Sequence, residues 1–179
     1  MRPLKTEIVF STPFFDLLAK TMKPGEEPYY SLRVPDFAVI VALTEDGRML
    51  AVRQYRPSVE QYTVELPSGL VDPGENALQT ATRELLEETG YAAGEMELLG
   101  PLFPEAGRLG NQSWTCFARG VRRVAEAEAG IQVIAYSMEE LGAAIRSGEF
   151  SHAPHVGSVL VAMAHGKLSG PPVPGDSLG

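Results

Sequence analysis

The stretch TVELPSGLVDPGENALQTATRELLEETGY, residues 63–91, decides how this chain is read. It opens as a short strand and runs into a loop punctuated by Pro67, Gly69, Pro73 and Gly74, residues that favour turns. A helix with legible ends follows. Asn76 suits the N-cap, because its side chain can accept from the free N–H groups of the first turn. Gln79 stands three residues on and completes a capping-box pair. Ala77, Leu78, Ala81 and Leu85 make an apolar stripe at helical spacing. Gly90 can take the left-handed conformation that stops a helix. The spacing therefore predicts a helix from Asn76 to Thr89.

The C-terminal end of that helix, RELLEET, breaks local rules. Glu84 and Glu88 are four residues apart, so they lie about 40° apart around the axis and roughly 6 Å along it. Glu87 sits nearby on the same side. Like charges at this spacing repel by a few tenths of a kcal/mol per pair. They also occupy the negative end of the helix dipole, where cations are preferred. Rules broken without evident gain often mark a functional site. One reading is a solvated acidic face. The other is a site for a hard cation, since clustered carboxylates without Cys or His suit Mg²⁺ or Mn²⁺. Arg83 can pair with Glu87 and hold a carboxylate in place, or be an ordinary surface ion pair.

Upstream, FAVIVALTEDGRMLAVRQYR (residues 37–56) sets two apolar runs about Glu45-Asp46-Gly47, a hairpin signal. Further up, TEIVF suits a strand, FFDLLAKTM suits a strand or a helix, and KPGEEP reads as a turn or linker. Downstream, strands are expected over Met96–Phe103, Gln112–Ala118 and Ile131–Tyr136, then amphipathic helices over Ser137–Gly148 and Val156–Gly166. This order predicts an α+β fold, a mixed sheet sandwiched by helices in an α/β/α arrangement, plus a small N-terminal β element. The organisation expected is an N-terminal element over 1–34, a main domain over 35–168, and a Pro/Gly-rich flexible tail over 169–179.

Composition sets the outer limits. The 179 residues carry 15 Lys and Arg against 23 Asp and Glu, a formal net charge of −8. That balance argues against broad binding to nucleic acid or anionic membranes, while leaving room for a local basic pocket. The single cysteine, Cys116, excludes an internal disulfide and any Cys-rich zinc pattern. The longest strongly apolar run, Phe37 to Leu43, is far too short to span a bilayer. The opening residues lack the apolar run of a signal peptide. A soluble, cytoplasmic protein is expected.

The segment GLVDPGENALQTATRELLEETGY resembles the Nudix hydrolase box, G-x5-E-x7-R-E-U-x-E-E-x-G-U with U a bulky apolar residue. Gly69, Glu75, Arg83, Glu84, Leu85, Glu87, Glu88, Gly90 and Tyr91 fill its specified positions. The resemblance implies a mixed sheet between helices and a loop–helix–loop at the box. It implies metal-assisted hydrolysis of a nucleoside diphosphate linked to another group, with Mg²⁺ or Mn²⁺ as cofactor. By the same resemblance Glu84 and Glu88 are metal ligands, Glu87 is a third ligand or a supporting partner, Glu75 and Arg83 orient that shell, and the Ser68 carbonyl can reach a metal.

The flanking segment VRQYRPSVEQYTVELPSG is similar to the ADP-ribose and nucleotide-sugar pyrophosphatases of that family, through Arg53-Gln54-Tyr55-Arg56 and Glu65-Leu66-Pro67-Ser68-Gly69. The implied substrate is a nucleoside diphosphate sugar, and the implied substrate contacts are Arg53, Arg56 and Glu65. The two arginines stand an odd number of residues apart on a presumed strand, so they should face opposite ways; Arg56 is favoured for the pyrophosphate. Glu105, Arg108 and Asn111 either line the pocket or serve as turn residues. The catalytic base is Glu126 or Glu128, with Glu128 favoured, unless both belong to a solvated charge run. Related enzymes are homodimers whose N-terminal strands reach across. Tyr29, Tyr30, Phe14 and Phe15 are therefore candidates for stacking on a base, with core packing the expected role of the phenylalanines. His152 and His155 read as surface or interface residues rather than zinc ligands, and Trp114 and Cys116 as core. Competing readings are a hydrolase of nucleoside triphosphates or dinucleoside polyphosphates, and a non-catalytic ligand sensor on the same scaffold.

Overall fold

Residues 2–170 are described by a computed structural model. Of the tail expected to be flexible, residues 171–179 lie outside the described residues. The chain begins with an antiparallel sheet of β1 (Lys5–Ser11), β2 (Asp16–Thr21) and β3 (Tyr29–Arg33), in that spatial order. The ambiguous FFDLLAKTM segment is thus a strand. Thr12 reverses the chain before it, its hydroxyl accepting from the N–H groups of Phe14 and Phe15, a side-chain mimic of a turn. Phe14 is 76% exposed and Phe15 36%, which corrects the core role expected of them: both sit at the tip of this two-stranded turn, with no layer above it.

The second sheet has eight strands. They are β4 (Phe37–Thr44), β5 (Met49–Arg56), β6 (Gln61–Glu65), β7 (Ser68–Leu70), β8 (Tyr91–Ala92), β9 (Glu95–Leu102), β10 (Ser113–Arg123) and β11 (Gln132–Tyr136). The helices are α1 (Ala77–Thr89), α2 (Met138–Ser147) and α3 (Ala153–Ala164). The sheet is mixed: β4 runs parallel to β10, and the remaining pairs are antiparallel. The Asp-Gly hairpin forms with Gly47 at φ 77°, but its strands share only the Leu43–Met49 pair. Beyond it they part: β5 takes β6 and β11 as neighbours, and β4 takes β7 and β10.

Strand β4 explains the layering. Ala38, Ile40 and Ala42 point to α1 and meet Ala81, Leu85, Cys116 and Ala118. Val39 and Val41 point the other way and meet Leu141, Ala144, Phe150, Val159 and Ala162 from the α2–α3 side. A strand covered on both faces reads as an unbroken apolar run, as FAVIVAL does. The result is the predicted α/β/α sandwich. Leu85 is fully buried, and truncating such a side chain to alanine costs about 2–5 kcal/mol.

Helix α1 has both predicted caps. The Asn76 side chain accepts from the N–H groups of Leu78 and Gln79, each at 3.0 Å, and the Gln79 side chain accepts from the Asn76 N–H at 2.9 Å. Gly90 takes φ 74° and returns its N–H to the Leu86 carbonyl. A Cβ there would lie 2.2 Å from the Ala125 carbonyl oxygen, so the next loop packs directly on the stop. The predicted stripe needs one correction. Leu78 is exposed, whereas Thr80, Ala81, Leu85, Glu88 and Thr89 are buried. The inward face carries a carboxylate, which apolar patterning cannot register. Helix α3 starts at Ala153, three residues before the expected Val156, with Pro154 in its first turn, where proline's missing N–H costs nothing.

Candidate active site

Strand β7 places the site. Ser68, Gly69 and Leu70 pair with Val39, Ala38 and Phe37 of β4, and this lays the glycine against α1. A Cβ on Gly69 would fall 1.9 Å from Glu84 Oε1, so only glycine allows the carboxylate so close to the strand. The Ser68 N–H donates to Glu88 Oε2 at 2.8 Å. Ser68 thus touches the cluster through its N–H, whereas the sequence reading looked to its carbonyl. Gln54 of β5 adds a long bond to Glu88 Oε1, at 3.4 Å.

Glu88 is only 7% exposed. Burial pushes its carboxyl up to about 7, with the Glu84 charge adding and the Ser68 N–H opposing. Burial also raises Glu84, against the pull of Arg83. Glu87 stays more exposed, and its carboxylate lies 3.1 Å from Arg83 Nη1. Arg83 ties the acids together: it forks onto Glu75 at 3.2 and 3.0 Å and reaches Glu84 at 2.6 Å. Glu75 accepts from the Thr80 hydroxyl as well. The Arg83 bonds hold Glu75 below its usual range and raise Arg83 itself.

This arrangement fits a hard divalent cation. The donors are all oxygens. Two carboxylates are desolvated beside each other: Glu84 has one close cation in Arg83, and Glu88 has only the more distant charge of Arg56. A metal ion would offset both the burial cost and the mutual repulsion.

A second cluster lies across β7. Among the described residues, Glu65, His152 and His155 bring ligand-type atoms within 4.8 Å of one another. It suits a cation poorly. Both Glu65 oxygens are held by the Arg56 fork at 2.9 and 2.7 Å, and His155 Nδ1 accepts the Leu66 N–H at 2.9 Å. Thr63 donates to Glu65 at 2.6 Å, and His152 Nδ1 stands 3.4 Å away. Burial alone would raise Glu65, but its bonds to Arg56, His152 and Thr63 prevail and hold it well below the carboxylate range. Arg56 is raised, chiefly by the same hydrogen bond. A cavity of about 590 Å³ opens here, bordered by Arg56, Glu65, Ser68, Gly69, His152 and His155. It therefore runs from the Glu65 cluster to the Ser68–Gly69 segment that packs against Glu84 and Glu88 of α1.

The other expected residues are placed as follows. Arg53 is exposed on the opposite face of β5, its guanidinium 4.3 Å above the Tyr62 ring, so the two arginines part as strand parity requires. Arg108 stacks over Tyr29 at 4.4 Å, and its carbonyl accepts from Leu32. Tyr30 is exposed on β3. Neither borders the cavity. Glu105 folds back on the Gly107 N–H at 2.6 Å, and buried Asn111 donates to the distant Pro35 carbonyl at 2.9 Å. Glu128 donates its backbone N–H to the Glu87 carbonyl at 2.9 Å and leaves its side chain exposed, whereas Glu126 pairs with Arg123. Cys116 is fully buried, with its thiol pushed up to about 12 by burial. Trp114 is half-buried and donates to Asp36.

His155 departs from the surface role expected of it, being fully buried. The early start of α3 puts it in the first turn, aimed at the Leu66 backbone. Gln54 and Thr63 were missed by the sequence reading. Period two would have found both, since Gln54 shares a strand face with Arg56, and Thr63 with Glu65.

Comparison with known proteins places these features. A family model described as the NUDIX domain matches residues 32–128. The chain is 41% identical over 101 residues to the methanol dehydrogenase activator of Bacillus methanolicus, covering 55% of each chain. It is 36% identical over 73 residues to the ADP-ribose pyrophosphatase of Bacillus subtilis, covering 41% of this chain and 40% of that one. The alignments span about half, or less, of these relatives' lengths. The crystal structure of an ADP compounds hydrolase shares the fold with a TM-score of 0.77, at 19% identity, over 94% of this chain and 98% of that one.

Proposed function

The chain belongs to the NUDIX domain family, and from that premise we propose that it hydrolyses the pyrophosphate bond of ADP-ribose or another nucleoside diphosphate sugar. The products are a nucleoside monophosphate and a sugar phosphate, and the cofactor is Mg²⁺ or Mn²⁺. The observation that carries this reading is the adjacent pair of carboxylates, buried Glu88 and half-buried Glu84, pressed against the Ser68 N–H and Gly69.

Glu84 and Glu88 hold the cation, together with Ser68 and Glu87. Such a cation supplies charge neutralisation for a pyrophosphate and acidifies water. Arg83 and Glu75 keep the acids in register. Arg56 spends Nε and Nη2 on Glu65 and offers Nη1 to the pyrophosphate. Glu128 accepts the attacking water's proton, from a loop tied to the end of α1. The N-terminal sheet joins two copies of the chain. Every residue of β1 is exposed, Ile8 and Phe10 among them, more apolar surface than a lone edge strand normally leaves open. Tyr30 and Arg108 flank the base in that dimer.

A substrate panel read by chromatography tests the reading. ADP-ribose, other nucleotide sugars, dinucleotides and triphosphates are incubated with Mg²⁺ or with chelator. Metal-dependent release of a nucleoside monophosphate from a nucleotide sugar is expected. Pyrophosphate released from triphosphates as the main product would overturn it.

A further inference from the structure

His155 has two ring nitrogens in different circumstances. Its Nδ1 accepts the Leu66 N–H at 2.9 Å, so it carries no proton, and the neutral ring keeps its hydrogen on Nε2. That Nε2–H is buried and has no hydrogen-bond partner among the described residues. Leaving a buried donor unpaired costs about 1–3 kcal/mol, and such groups in a folded protein call for an explanation. The ring is fully buried yet borders the cavity beside β7. Burial lowers its pKa to about 3, which fits a ring that stays neutral. The cover over it is slight: the His152 ring stacks at 4.0 Å between centroids, and that side chain is 41% exposed.

The same residue also touches the loop that builds the acid cluster. Leu66, which it holds, stands two residues before Ser68, whose N–H binds Glu88, and three before Gly69, which lies against Glu84. We propose that His155 is a specificity-determining residue joining the cavity to the carboxylate cluster: Nδ1 fixes the Leu66–Gly69 loop, and Nε2–H is reserved for an acceptor oxygen of the substrate lying in the cavity. This rests on the nucleoside diphosphate sugar reading and deepens it. The acceptor is a phosphoryl or a sugar oxygen, reached when His152 swings aside.

The test reads the ring directly in the wild-type protein. Long-range ¹H–¹⁵N spectra of ¹⁵N-histidine-labelled protein, with chelator present to prevent turnover, follow His155 as ADP, ribose 5-phosphate or ADP-ribose is added. The expected result is an Nε2-protonated tautomer whose Nε2 and ring resonances move on ligand addition. Inorganic phosphate and ribose, added separately, tell the two acceptors apart: a shift with phosphate identifies a phosphoryl oxygen, and a shift with ribose alone identifies the sugar side. Two variants supply the kinetic counterpart with Mg²⁺. His155→Asn keeps an acceptor near the Nδ1 position and loses the deep donor, and should raise KM roughly tenfold with kcat within about twofold. His155→Gln does the reverse and should lower kcat at least tenfold. Binding of ADP-ribose, seen at backbone amides, with no change at His155, or an unaltered KM in His155→Asn, would overturn the proposal while leaving the hydrolase reading intact. If the wild-type protein neither binds nor hydrolyses any of these compounds, the hydrolase reading fails and this proposal fails with it.

Discussion

Two buried glutamates stand on either side of β7 and differ in almost every respect but burial. Glu65 is 1% exposed and saturated: Arg56 forks onto it, and Thr63 donates to it. Its pKa is held low. Glu88 is 7% exposed and receives one short N–H bond and one long amide bond. Its pKa is pushed up to about 7, and burial also raises half-buried Glu84 beside it, against the pull of Arg83. A buried carboxylate with its partners supplied is part of the scaffold. One that lacks them, next to another, fits the cation site proposed above.

The largest expected consequence concerns turnover. Replacing Glu84 and Glu88 together by glutamine should lower kcat by about 10³-fold or more while the circular dichroism spectrum stays native. Full activity in that double variant would erase the distinction between the two glutamates.

Stability should then respond in opposite directions. A carboxyl whose folded pKa is raised contributes stability that is present below the unfolded value, near 4.5, and is lost as pH rises through about 7. Metal-free Glu88→Gln should therefore exceed the wild type at pH 8 by about 3 kcal/mol and match it near pH 4.5, by urea denaturation. A variant less stable at pH 8 would show that the Glu88 charge is already compensated. Gly69→Ala sharpens the geometry. Its methyl group would drive into Glu84, and a displaced carboxylate should cost on the order of 100-fold in kcat; kinetics within threefold of the wild type would mean that the close approach is unimportant. The smallest effect is on the other side. Glu65→Gln should lose about 2 kcal/mol at pH 7. That difference should shrink as pH falls below the ordinary glutamate range, since a lowered pKa contributes stability only above it. Thermal melts at two pH values check the sign.

Much of the α1 side was legible. Asn76, Gln79 and Gly90 announce their own helix through local backbone chemistry, and the Glu84–Glu88 conflict with the helix dipole is visible in linear spacing. The strand parity separating Arg53 from Arg56 was legible for the same reason. The Glu65 side was harder. Arg56 and Glu65 were singled out, but His155 meets Leu66 across 89 residues, a contact with no local signature, and its burial depends on α3 starting early, at Ala153. Phe14 and Phe15 misled because apolar character normally signals burial, whereas their sheet leaves its hairpin tip uncovered.

The central claim is that Glu84 and Glu88 form the cation site. Calorimetric titration of Mn²⁺ at pH 8 into the wild-type protein and the Glu84→Gln/Glu88→Gln double variant tests it most directly. The account predicts saturable binding to the wild type and no binding to the double variant. Equal binding to both proteins would contradict it.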